Sequence, residues 1–66
     1  MNDEMLRLTS FDFRLLQDVR IRDMGVTGRV MARMERPGGV FEYRVVWWQE
    51  SKRNDEWLYW YELEAL

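Results

Sequence analysis

The sequence predicts an all-β protein, a single small domain built as a barrel of about five short antiparallel strands. Three observations carry this. Apolar residues recur at every second position within separate stretches, from Val19 to Ile21, from Val30 to Met34 and from Phe41 to Trp47, the period of a half-buried strand. Glycine-bearing breaks at Gly25–Gly28 and Pro37–Gly39 cut the pattern into short pieces. No stretch is a long helix. Closing such a sheet on itself removes exposed edges.

Along the chain, Val19 and Ile21 alternate with Arg20 and Arg22, which reads as a first strand. "DMGVTG" breaks it, because Gly25 and Gly28 reach backbone conformations that a Cβ penalises. Val30, Ala32 and Met34 then alternate with Arg29, Met31, Arg33 and Glu35 in a second strand, and "RPGG" ends it. The third strand is "VFEYRVVWW". With Arg36–Gly39 as the hairpin loop, Met34 is expected opposite Phe41, Ala32 opposite Tyr43 and Val30 opposite Val45, while Arg33 faces Glu42. The polar segment "QESKRND" (49–55) reads as the next turn and "EWLYWY" as a fourth strand. "ELEAL" is a closing helical turn or a last short strand. Residues 1–15 form an N-terminal segment packing on a barrel of residues 16–64, as a helical turn or an extended piece.

Composition removes most chemistry. The chain has 66 residues with no cysteine and no histidine, so it lacks disulfides, thiolate metal ligands and the commonest general base. The hydroxyls of Thr9, Ser10, Thr27 and Ser51 have no His or Cys to activate them. "GVTG" is too short for a phosphate-binding loop. Glu62 with Glu64, and Asp55 with Glu56, read as solvated surface, and no cluster has the spacing of a hard-metal loop. The reading is therefore a protein that is not an enzyme and uses no cofactor and no metal. No apolar run is long enough for a membrane helix, and the acidic start "MNDEMLRL" is unlike a signal peptide, so a cytoplasmic location without membrane contact is expected.

The stretch "DVRIRDMGVTGRV" resembles the opening of SH3-like barrels of the KOW and Tudor kind, through Val19, Ile21, Gly25, Gly28 and Val30. "YRVVWW…EWLYWYELE" is similar to the ending of small SH3-like proteins of bacteria and their phages, through Tyr43, Val45, Trp47, Trp57, Glu62 and Leu63. The likeness spans about residues 15–64 and departs at Trp48, Leu58 and Trp60. It implies a binding module for nucleic acid, a ribosomal or polymerase surface, or a peptide, and it suggests a phage or prophage origin.

Residues 43–61 hold seven aromatics, including all four tryptophans, on both strand parities. If Trp57 faces Trp47, the set Phe41, Tyr43, Val45, Trp47, Trp57, Tyr59 and Tyr61, with Val19, Ile21, Val30, Ala32 and Met34, is core. Met31, Arg44, Val46, Trp48, Leu58 and Trp60 then point outward, with Val46 opposite Leu58 and Arg44 over Trp60 as a cation–π pair. Those six residues are the candidate protein-binding face, since Trp and Arg dominate interface energetics. The N-terminal Leu6, Leu8, Phe11 and Phe13, a second copy of the chain in a dimer, or a different protein could cover it. A second reading uses Arg20, Arg22, Arg29, Arg33 and Arg44 as an arginine stripe for nucleic acid. The net charge of −2 and the neighbouring Glu35 and Glu42 oppose it. An aromatic cage for methylated lysine is a further Tudor-like option.

Overall fold

The computed structural model describes residues 12–66. They form β1 (Asp18–Ile21), β2 (Val26–Arg36), β3 (Val40–Gln49), β4 (Lys52–Tyr59) and β5 (Leu63–Ala65). All five lie in one antiparallel sheet of order β4-β3-β2-β1-β5. A 3₁₀ turn, Trp60–Glu62, joins β4 to β5, so the C-terminal "ELEAL" segment completes that turn and then forms a short strand. The fold is all-β, as the alternation predicts, and no α-helix occurs among the described residues.

The core lies on one face of the sheet. Val19 and Ile21 of β1, Val30 of β2, Leu63 of β5 and every second residue of β3 from Phe41 to Trp47 are buried together. The 3₁₀ turn touches both β3 and β5, so the sheet curls over this cluster. Phe13 joins it from the N-terminal side, and its ring meets Tyr43 edge-to-face at 5.1 Å and 78°. The Tyr43 hydroxyl accepts from the Asp12 and Phe13 amides at 2.8 and 3.3 Å, which ties this segment down. Leu15 and Leu16 are exposed. The expected contribution of Leu6, Leu8 and Phe11 to covering the sheet lies outside the described residues.

The β2–β3 hairpin differs from its expected register near the turn. Arg36, not Glu35, faces Val40, so Glu35 faces Phe41, Met34 faces Glu42, Arg33 faces Tyr43 and Ala32 faces Arg44. A bulge between Val30 and Ala32 absorbs the extra residue, and Val30 faces Val45 as expected, but Ala32 and Met34, expected in the core, lie opposite Arg44 and Glu42 and outside the core cluster. Glu42 is buried and is paired with Arg36 rather than Arg33.

The β3–β4 hairpin is the larger correction. Its turn is Glu50–Ser51 alone, and both residues take the left-handed conformation (φ 54° and 63°) of a tight primed hairpin turn. Lys52–Asp55 are therefore strand, not loop. Asn54, not Trp57, faces Trp47. This slip of three positions, an odd number, reverses the faces of β4. Trp57, Tyr59 and Tyr61, expected in the core, are exposed, while Leu58, expected outside, packs against the core. The expected pairs Val46–Leu58 and Arg44–Trp60 do not form: Val46 faces Asp55 and Arg44 faces Trp57.

Candidate interaction face

The face opposite the core carries the exposed apolar residues. On β3, Glu42, Arg44, Val46 and Trp48 alternate with the buried set, and across the hairpin they face Tyr59, Trp57, Asp55 and Arg53 in turn. Direct partners in an antiparallel pair share a face, so Arg53, Asp55, Trp57 and Tyr59 form the adjacent outer row. Trp48 is 67% exposed and Trp57 45%. At the end of this row the Tyr59 and Tyr61 rings stack at 5.4 Å, and Trp60 meets Tyr61 edge-on at 5.8 Å. The Glu62 carboxylate accepts from the Tyr59 amide at 2.7 Å and fixes the start of the turn that presents these rings.

A groove of about 390 Å³ opens beside Trp48, lined by Asp18, Thr27, Gly28, Arg29, Met31, Val46, Trp47 and Trp48. The local sequence explains its shape. Gly28 contributes backbone to the floor, its Cα facing the core side beside Val45 and Trp47, and the bulge at Met31 leaves that side chain exposed along the rim. Trp48 and Val46 form the opposite wall. The Arg29 Nε donates to Asp18 Oδ1 at 3.0 Å, so the polar end of the groove is a neutral pair.

Of the six residues expected to bind a partner, Met31, Val46 and Trp48 meet in this groove. Arg44 lies on the same face beside Trp57. Trp60 is exposed but sits in the 3₁₀ turn past the end of β4, and Leu58 faces the core. The sequence reading missed Trp57, Tyr59 and Tyr61 on the outside and Asp18 and Thr27 in the groove. A two-residue turn at Glu50–Ser51 would have found the aromatics, because it sets Trp48 against Arg53 and Arg44 against Trp57.

The arginines do not form one open stripe. Arg20 and Arg22 both bridge to Glu64, at 3.6 and 3.7 Å, and the Arg22 Nε also donates to the Leu63 carbonyl. Arg29 is held by Asp18. Arg44 grips Asp55 with two hydrogen bonds, at 2.8 and 2.5 Å. The Arg44 hydrogen bond holds the Asp55 carboxyl below its usual range, and the same bond raises the Arg44 guanidinium above its own. Arg33 leaves the stripe altogether: the bulge sets it opposite buried Tyr43, and it donates to the Phe13 carbonyl at 3.4 Å.

Among the described residues no acidic cluster could hold a metal ion, and no helix is long and apolar enough to cross a membrane. No protein-family model, curated protein or solved structure matches this chain.

Proposed function

We propose that this chain is a non-catalytic protein-interaction module of SH3-like barrel type, acting in the cytoplasm, whose outer face receives a partner protein. The observation that carries this is the exposure of Trp48 at the wall of a groove whose other apolar walls are Met31 and Val46. A large, half-rigid ring beside a concave apolar surface is the kind of feature that anchors a protein interface. The neutral Asp18–Arg29 pair at the groove end matches a polar protein rim better than a polyanion. The occupant is an apolar side chain of the partner, set between Trp48 and Met31.

The nucleic-acid reading draws less support, because Arg20, Arg22, Arg29 and Arg44 each already hold a carboxylate. Both readings meet in one experiment. Host proteins captured on the immobilised chain are compared with those captured on Trp48→Ala and on Arg20→Ala, and DNA and RNA shifts are run at low salt. The expected result is a partner that Arg20→Ala retains and whose affinity for Trp48→Ala falls on the order of tenfold or more. An unchanged partner set on Trp48→Ala, or a salt-sensitive nucleic-acid shift weakened by Arg20→Ala, contradicts the proposal.

A further inference from the structure

The open edge of β4 carries a second, independent surface. Among the described residues β4 pairs with β3 alone. Which of its backbone groups face outward follows from the sheet itself. Val30 donates its amide to Gln17 and accepts at its carbonyl from Leu16, so both groups point away from β3. Its partner Val45 must then point its own toward β4, since antiparallel pairs alternate between bonded and non-bonded. Glu56, opposite Val45, and with it Asn54 and Lys52, bond inward to β3. Arg53, Asp55 and Trp57 therefore turn their N–H and C=O groups to the edge, where no strand among the described residues pairs with them.

The side chains along this edge read Lys52-Arg53-Asn54-Asp55-Glu56, with cations before Asn54 and anions after it. Charged side chains on an edge ordinarily discourage pairing. Here their order is complementary to its own reverse, which is what a two-fold sets opposite it. We infer that two copies of the chain pair antiparallel along β4, with Asn54 facing Asn54 on the two-fold axis. In that register Lys52 faces the second copy's Glu56, and Arg53, which lies 3.5 Å from Asp55 of its own chain, also faces the second copy's Asp55. The bonded pairs are then Arg53 with Asp55, whose backbone groups point to the edge. Hydrogen-bond parity requires the axis to pass through a residue. Centring it on Arg53, Asp55, Lys52 or Glu56 would set like charges directly opposite each other, which is unfavourable. Within residues 52–56, Asn54 is the one centre that satisfies the backbone and sets opposite charges against each other. The dimer joins two sheets edge to edge and makes their Trp57-bearing outer faces continuous.

This inference does not rest on the outer-face proposal, and Trp48→Ala should leave the dimer intact. The test uses the absence of native cysteine. Non-bonded antiparallel partners sit with Cα atoms roughly 4.5 Å apart, within disulfide range. Asn54→Cys should therefore oxidise to a covalent dimer, while Lys52→Cys, displaced from the axis, should not. By analytical ultracentrifugation, exposed Lys52→Glu should raise the dimer dissociation constant about tenfold, since two contacts become repulsive. The charge swap Lys52→Glu with Glu56→Lys should restore it. Cross-linking of Asn54→Cys no better than Lys52→Cys, a monomer at millimolar concentration, or indifference to Lys52→Glu overturns the inference. So does a monomer whose Arg53 and Asp55 amides resist hydrogen exchange, because its edge would be covered from within the same chain.

Discussion

Tyr43→Ala is expected to bring this domain to the brink of unfolding. The residue is fully buried at the centre of β3, between the sheet and the N-terminal segment. Removing a ring from such a site costs about 3–5 kcal/mol, because neighbours collapse only partly into the space left. Small domains have a total stability of about 5–15 kcal/mol, so the loss takes a large share of it. Tyr43→Phe separates packing from hydrogen bonding. It keeps the ring but removes the acceptor for the Asp12 and Phe13 amides, at a cost of about 1–3 kcal/mol. Urea unfolding of the two variants measures both terms. Burial also raises the Tyr43 phenol above its ordinary 10.0, although the two amide bonds pull it down. Below the ordinary value both folded and unfolded chains keep the proton. As pH rises past it the unfolded chain releases the proton first, so this contribution to stability is lost as pH climbs through the folded value. Tyr43→Phe should lack that alkaline loss.

Gly28→Ala should be the most damaging small substitution on the sheet. A Cβ there would lie 2.6 Å from Val45 Cγ1 and 3.0 Å from the Val46 carbonyl oxygen. Replacing glycine in a strand ordinarily stabilises by about 0.4–1 kcal/mol, by restricting the unfolded chain. Here the clash wins. Val45 is β-branched, stiff and fully buried, and the second contact is backbone, so neither can yield cheaply. Overpacking of this kind costs about 1–3 kcal/mol. Adding Val45→Ala should recover part of the loss relative to Val45→Ala alone, and a double-mutant cycle reads that coupling. If Gly28→Ala is neutral, β2 and β3 do not approach as closely as described.

The readable part of this fold was the part governed by alternation. β1, β2 as far as Val30, and the buried set of β3 from Phe41 to Trp47 follow the period of two directly. Two local events were not readable. The Met31 bulge compensates a one-residue change at the "RPGG" turn, so Val30 meets Val45 even though the pairs between them shift. No residue type announces such a bulge. The second event is the Glu50–Ser51 turn. Tight primed turns are normally signalled by Asn-Gly or Asp-Gly, and these two residues enter the left-handed region without glycine. The polar run after them looks like a loop because β4 is an edge strand whose first half packs against little. Parity then decided the rest. Because the slip was odd, the aromatic residues assigned to the core became the outer face, and Leu58 became part of the core.

The outer-face reading depends on where the tryptophans lie, and that can be observed directly. Trp47 is buried, and Trp48, Trp57 and Trp60 are exposed. With 5-fluorotryptophan incorporated and each resonance assigned by a Trp→Phe variant, fluorine NMR with a soluble paramagnetic relaxation agent reports the access of every ring. In dilute solution three resonances should broaden strongly, with Trp48 first, and Trp47 should stay sharp. A spectrum in which Trp48 and Trp57 are as protected as Trp47 would show that the face is core or already covered, and would contradict the account.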